Sequence, residues 1–362
     1  MDHELNFERT PSVHVFSEEE LQQITRRLLL AAGADEEEAT TVSRSLVEAN
    51  LYGHDSHGIM RLPFYIDRMQ QGILKQGSRL QILKETPANI LADGGWGFGQ
   101  VVARDLMERL IEKAKTIGVA SGSLKQSAHI GRLGEYAEMA TAAGMIGLIC
   151  ANNHGAVQRV APVGGKRPRL GTNPICIGVP GGDNGPFVLD FGTSATAEGK
   201  VRVKKIAGEK VPDGWILDSD GNPTNDPNKL YEDPPGSILP MGGSQAYKGF
   251  GLAFMIEMIA SGLAGAPCAQ PNAPTPLGNA AWFMVISPEQ NAGSEHLLQE
   301  VQSLEDYIRS VPKVEGVAEI TLPGDPERRT RNERKAHGIP IDEGNWKALQ
   351  ELAGKLNVDL ET

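Results

Sequence analysis

The residues best suited to chemistry lie in the segment His54-Asp55-Ser56-His57-Gly58-Ile59-Met60-Arg61-Leu62-Pro63-Phe64-Tyr65. A helix opened by Ser56 as its N-cap would place His57, Arg61 and Tyr65, spaced by four, on one titratable face. Pro63 would clash with a carbonyl one turn earlier in such a helix, so the alternative is a helix beginning near Leu62 with His57 in the preceding loop. An arginine holds a carboxylate through a planar fork, and a histidine gives or takes the proton of a hydroxyl, which together suit reduction of a 2-oxo acid. At a helix N-terminus an imidazolium is disfavoured, so its charge would need a nearby anion, either Asp55 or the substrate carboxylate. His54, Asp55 and His57 form a poor metal cage, three ligands in four residues with no distant partner, and no metal is expected. Ser127-Ala128-His129-Ile130-Gly131 falls where a strand passes into a helix, a usual ligand position in α/β sheets, which makes His129 a second acid/base candidate. The turns Gly171-Thr172-Asn173-Pro174 and Asp190-Phe191-Gly192-Thr193-Ser194 can offer backbone N–H groups to a phosphate, or be ordinary Asx and Ser/Thr turns.

The elements that would carry these groups follow from caps and periodicity. Ser17 with Glu20, and Asp35 with Glu38, are capping boxes that open helices through about Ala32 and toward Gly53. Strands are expected over 81–92, 119–124 and 145–151, with helices over 104–116 and 131–143 between them, a β-α-β-α-β rhythm. Short strands at 174–179 and 187–191 and a polar helix at 195–207 follow. Residues 212–240 hold six prolines without clear periodicity and read as an exposed connecting loop. The helix 248–264 is apolar nearly all round and is expected to lie buried between layers. A strand at 282–286 and a helix at 294–311 come next, while the first ten residues read as a loose tail. This organisation divides into a helical part with the His57 motif (1–78), an α/β part (79–240) and a returning C-terminal part (241–362).

Composition narrows the class. A chain of 362 residues is long enough for two packed lobes, and a net charge of −11 argues against a nucleic-acid or anionic-membrane binder. Three cysteines without metal-ligand spacing, no apolar run of spanning length and no leader-like N-terminus point to a reducing cytoplasm. The 42 glycines fit a fold with many close backbone approaches, yet neither the GxGxxG dinucleotide fingerprint nor a P-loop is present. Basic residues crowd 166–169, 200–210 and 328–335, any of which could meet a dinucleotide's phosphates or simply be solvated.

Taken together, Gly53-His54-Asp55-Ser56-His57-Gly58 with Arg61, Pro63, Tyr65 and Gly72, then Ser127 to Gly131, Ala161 to Gly165, Gly171 to Pro174, Asp190 to Ser194, Pro240 to Gly243, Lys248 to Leu252, Pro323 to Asp325 and Gly338 to Pro340 resemble the non-Rossmann malate/L-lactate dehydrogenase family. The resemblance runs from the first helix to about residue 355. It implies a three-layer α/β fold with a mixed, largely antiparallel sheet, a helical layer from both chain ends, non-Rossmann binding of NAD or NADP, and a homodimer. It also implies interconversion of a small 2-hydroxy acid and its 2-oxo acid, or, as the alternative, reduction of a cyclic imine carboxylate. Residue by residue, it assigns acid/base chemistry to His57, carboxylate binding to Arg61, a second histidine to His129, and substrate-side positions to Ser56 and Tyr65. Together with Thr172 and Asn173, the stretches with Asp190, Thr193, Ser194, Tyr247, Lys248, Gly324 and Asp325 line the cofactor. Two departures stand out: Asn152-Asn153-His154-Gly155 replaces the usual threonine-asparagine-serine run, and Asp325 stands where glutamate is common.

Overall fold

The computed structural model describes residues 13–182, 184–273 and 277–360, so the expected leading tail lies outside the described residues. The chain forms two compact units, one from its two ends, up to Gly77 and from Pro326 on, the other from Ser78–Asp325.

The end-built unit opens with β1 (Val13–Phe16), α1 (Glu18–Ala31), α2 (Glu36–Leu51) and α3 (Leu62–Gln70). Both capping boxes form: Ser17 Oγ and Asp35 Oδ1 accept the backbone N–H of Glu20 and Glu38, whose carboxylates accept the cap N–H in return. Pro63 occupies the first turn of α3, where its missing N–H leaves no helical bond unmade.

The central unit holds β2 (Gln81–Glu85), β3 (Asn89–Asp93), α4 (Gly99–Ile117), β4 (Val119–Ser127), α5 (Gly134–Ala142), β5 (Ile146–Asn152), β6 (Ile175–Val179), β7 (Phe187–Phe191) and α6 (Glu198–Ile206). After them come β8 (Ile216–Leu217), β9 (Pro223–Thr224), β10 (Ser237–Ile238), α7 (Tyr247–Glu257), β11 (Asn279–Ile286) and α8 (Ser294–Arg309). The chain then returns to the end-built unit through α9 (Asp325–His337), β12 (Ile339–Asp342) and α10 (Glu343–Leu356). There β12 pairs antiparallel with β1, and α10 packs on α1 and α3.

The main sheet has the order β2-β3-β4-β11-β5-β6-β7. Only the β3/β4 pair is parallel; the other five pairs are antiparallel. Because β4 and β5 both run against β11, the carboxyl ends of β3, β4 and β5 share one edge with the starts of β6 and β11 and the end of β7. Alternate residues of β11 face opposite ways: Ala281, Phe283 and Val285 enter the core under α4 and α5, and Trp282 packs with Ile256 and Ala260 on the side of α7. Helices on both faces make this unit three-layered.

Two expectations are corrected. Residues 212–240 are not an exposed loop: β10, β8 and β9 form a three-stranded sheet around a core of Val160, Val201, Val211, Ile216, Leu230 and Ile238. Strands of two residues leave no period to read. Nor is the apolar helix 248–264 enclosed on all sides. Its Ala253, Ile256 and Ala260 are buried, while Phe254, Met255, Met258 and Leu263 on the outer face are 41–58% exposed.

Phe283 is fully buried on the central strand, edge-to-face with Tyr136 at 5.6 Å between ring centroids. Phe283→Ala is expected to cost about 3–5 kcal/mol of unfolding free energy, read by urea denaturation. A loss below about 1 kcal/mol would contradict this account of the core.

Candidate active site

In the end-built unit the residues around His57 do not share one α-helical face. Two single 3-10 turns, Asp55–His57 and Ile59–Arg61, precede α3, so the helix begins at Leu62 and His57 lies ahead of it. Ser56 Oγ lies 3.0 Å from His57 Nδ1. Arg61 donates from Nε to the Ser56 carbonyl at 2.6 Å, which ties the guanidinium to the turn that carries the imidazole. Tyr65, on α3, is 1% exposed.

Asp55 is committed to a cation other than His57. Both of its oxygens accept from Arg334, at 2.6 and 3.0 Å, and Oδ1 also accepts from Asn50 Nδ2. Arg334 belongs to the basic stretch 328–335, so this cation serves the fold of the site rather than a phosphate. The helix-dipole difficulty also lapses, since His57 closes a 3-10 turn instead of opening an α-helix. Buried Asn50 fixes the segment from the other side, its Oδ1 accepting the Ile59 N–H at 2.9 Å. A Cβ on residue 58 would collide with that oxygen, so only glycine fits between Asn50 and the His57 turn. His54 Nε2 lies 3.5 Å from Glu327, and among the described residues no three His, Cys, Asp or Glu side chains gather as a metal site.

In the central unit, the shared sheet edge collects most of the other predicted residues. His129 follows β4; its Nδ1 lies 3.4 Å from the Gly131 N–H, and the loop is pinned by the Ile130 N–H to Asn279 Oδ1 and by Tyr136 Oη to the Ile130 carbonyl. Thr172 and Asn173 precede β6, and Thr193 and Ser194 follow β7. These two turns are stitched together: Thr193 Oγ1 donates to the carbonyls of Thr172 and Asn173 at 3.0 Å, and its N–H donates to Thr172. Ser194 Oγ donates to the Thr196 carbonyl. Tyr247 and Lys248, both exposed, begin α7, whose Ala253 carbonyl accepts from Asn173.

Asp190 accepts the Gly134 N–H at the start of α5 at 2.7 Å. Arg132, buried beside it, forks onto Glu138; burial works against the guanidinium charge, but Glu138 outweighs it and holds the pKa above the ordinary value. Asp325 accepts from Arg309 Nη2 at 3.0 Å and from the Leu322 N–H at 2.8 Å, with Gly324 before it in the left-handed region. Ser56, His57, Arg61 and Tyr65 thus belong to one unit, and His129 and the cofactor-side residues to the other.

Residues 16–350 match the family described as malate/L-lactate dehydrogenase. The chain belongs to that family. It is 36% identical over 355 residues to the hydroxycarboxylate dehydrogenase B of Escherichia coli (strain K12), covering 97% of each chain. Among solved structures it is similar to the sulfolactate dehydrogenase of Methanocaldococcus jannaschii, with a TM-score of 0.86, 35% identity and coverage of 96% and 98%. It also resembles a delta1-piperideine-2-carboxylate reductase of Pseudomonas syringae, with a TM-score of 0.81, 30% identity and coverage of 94% and 100%.

Several residues of this malate/L-lactate dehydrogenase family member that shape the site lacked a sequence signal. Asn50, Asn152 and Asn279 act through amides, which carry no spacing rule. Arg334 stands in a basic run that reads as phosphate-facing or solvated, and the one signal for Glu257, passed over in the sequence reading, is that it is the single acid in the apolar stretch 248–264. Burial pushes the Cys150 thiol up to about 12, which disfavours its thiolate.

His154, in the departing run Asn152 to Gly155, is 4% exposed and edge-on to Trp96 at 4.9 Å, and neither ring nitrogen has a partner among the described residues. Burial lowers its pKa below the ordinary 6.5, so it is neutral in the fold, and the unfolded chain takes up its proton first as pH falls. Its contribution to stability is therefore full above about pH 6.5 and lost on acidification. His154→Phe removes this titration, so the variant should gain on the wild type in denaturant unfolding between pH 7 and pH 5. A difference that stays constant with pH would contradict the assignment.

Proposed function

We propose that this protein is an NAD(P)-dependent oxidoreductase that interconverts a small 2-hydroxy acid and its 2-oxo acid. The observation that carries the reading is the Ser56-His57-Arg61 turn, which holds a proton-transfer group and a carboxylate-binding group on one short stretch of backbone. A serine hydroxyl can donate to an unprotonated Nδ1 or accept from a protonated ring, so His57 keeps a partner in both charge states. In reduction, His57 protonates the nascent alkoxide and Arg61 grips the substrate carboxylate; in oxidation, the proton returns to His57. Ser56 and Tyr65 belong to the substrate side, and His129 is a second acid/base group.

The sheet edge fits a bound dinucleotide. Asn173 Oδ1 is buried without a partner, and a Cβ on Gly171 would stand 2.6 Å from Asn153 Nδ2 and 2.8 Å from that oxygen, so only glycine lets these two amides lie against the backbone there. Thr172, Asn173, Thr193, Ser194, Tyr247 and Lys248 would hold the cofactor, with Asp190, Gly324 and Asp325 completing the set. When bound, the nicotinamide supplies or takes the hydride. We further read the protein as a cytoplasmic homodimer. The exposed apolar face of Phe254, Met255, Met258 and Leu263 supports self-association, and three cysteines held as thiols support a reducing compartment. No helix among the described residues is long and apolar enough to cross a membrane.

The likeness to the piperideine-carboxylate reductase favours a second reading, reduction of a cyclic imine carboxylate at the same site. NADH and NADPH oxidation with pyruvate, oxaloacetate and a cyclic imine carboxylate in parallel distinguishes the two; turnover of the imine alone would overturn the first. His57→Ala should lower kcat by about 10²–10⁴-fold with cofactor affinity kept. Arg61→Lys should chiefly raise the substrate KM, because an ammonium cannot form the planar fork. Near-normal turnover in the first variant or an unchanged KM in the second would remove that residue's role.

A further inference from the structure

Glu257, the last residue of α7, is 5% exposed, and its carboxylate meets three N–H donors. Oε1 accepts from Asn152 Nδ2 at 2.9 Å and from the Ala269 N–H at 2.7 Å, and Oε2 accepts from Asn173 Nδ2 at 2.8 Å. A buried carboxylate is tolerated only when its oxygens are so satisfied, and these bonds are stronger than those between neutral groups. Neither asparagine is idle beyond it. Asn152 accepts the His154 N–H on Oδ1, and its carbonyl accepts from Asn279, whose own Oδ1 pins Ile130 beside His129. Asn173, in the left-handed region at φ 29°, gives its amide N–H groups to Glu257 and to the Ala253 carbonyl, which leaves Oδ1 buried with no partner.

We infer that Glu257 is a positioning residue: by taking the amide nitrogens of Asn152 and Asn173 it fixes the His129 loop and turns Asn173 so that its oxygen, not its nitrogen, is presented as an acceptor for a ligand N–H or O–H. A primary amide such as the carboxamide of a nicotinamide dinucleotide has the required donor. This ligand assignment rests on the reading of Asn173 as a cofactor-side residue; the orientation of Asn173 does not.

The chemistry of glutamine supplies the test. Glu257→Gln is isosteric but has one oxygen. Two donors face the Oε1 position and one of them is a backbone N–H that cannot turn, so the glutamine oxygen must stay there. Its NH2 then confronts the Asn173 amide nitrogen; Asn173 either keeps that donor-to-donor contact or flips, which sets its oxygen against the Ala253 carbonyl and presents a donor where an acceptor was. Asn173→Asp alone sets two carboxylates against each other and an oxygen against the Ala253 carbonyl. With both substitutions present, the introduced glutamine donates to the introduced aspartate, whose second oxygen again offers an acceptor; the contact with the Ala253 carbonyl persists, so recovery is judged against N173D.

Dissociation constants for NADH and NADPH by fluorescence titration, together with Tm, are to be measured for the wild type, E257Q, N173D and the double variant. The expected result is dinucleotide binding weakened roughly 10-fold or more in each single variant, and a double variant binding about five-fold or more tighter than N173D, with Tm following the same non-additive pattern. Wild-type affinity in E257Q, or a double variant no better than N173D, overturns the proposal. Should the wild type bind neither nucleotide, the reading of the function fails, and the Tm cycle alone decides the positioning role: recovery in the double variant upholds it and additive losses overturn it.

Discussion

The architecture depends on the insertion of β11 between β4 and β5. Those two strands, joined through α5, would otherwise be neighbours of the kind that a β-α-β crossover makes in a parallel sheet. β11 arrives from more than a hundred residues downstream and pairs antiparallel with both. It also brings Asn279, which bonds to the Ile130 N–H and the Asn152 carbonyl and so joins the ends of β4 and β5 by side-chain amide rather than by sheet pairing alone. The sheet edge with His129, Asn173 and Thr193 is complete only once this late strand is in place.

Much of this was legible locally. The capping boxes at Ser17 and Asp35 marked the first two helices, and the alternation of apolar strands with amphipathic helices marked the order of β3, α4, β4, α5 and β5. Local signals do not carry pairing partners, so the placement of β11 and the closure of β1 on β12 across more than three hundred residues had no counterpart in periodicity. The two-residue strands of 212–240 lie below the length at which a pattern exists. For α7, an apolar sequence signals a packed helix without saying how many of its sides are covered: one face packs on the sheet, and the other remains apolar and exposed.

The site divides in the same way. His57, Arg61 and His129 were proposed from residue type, spacing and the family resemblance, because proton transfer and carboxylate binding call for those side chains. Their supports were not, since Asn50, Arg334, Asn152 and Glu257 act by hydrogen bonds between segments distant in sequence. Asp55 shows the difference clearly. As a neighbour of His57 in sequence it suggested a counter-ion for the imidazole, and the structure shows its two oxygens bonded to Arg334 and Asn50, which holds the turn that carries His57. A buried amide and carboxylate framework of this kind holds reactive groups still without itself changing charge.

In the proposed reaction hydride passes directly between a nicotinamide and the C2 carbon of a 2-oxo acid while His57 handles the proton. Reduction with NADH or NADPH carrying deuterium on the transferred face of C4, followed by mass spectrometry of the product, tests it most directly. The account predicts one deuterium atom at C2 of the 2-hydroxy acid formed, with a hydroxyl proton drawn from solvent. A product without deuterium at C2, or label released to water, would contradict it.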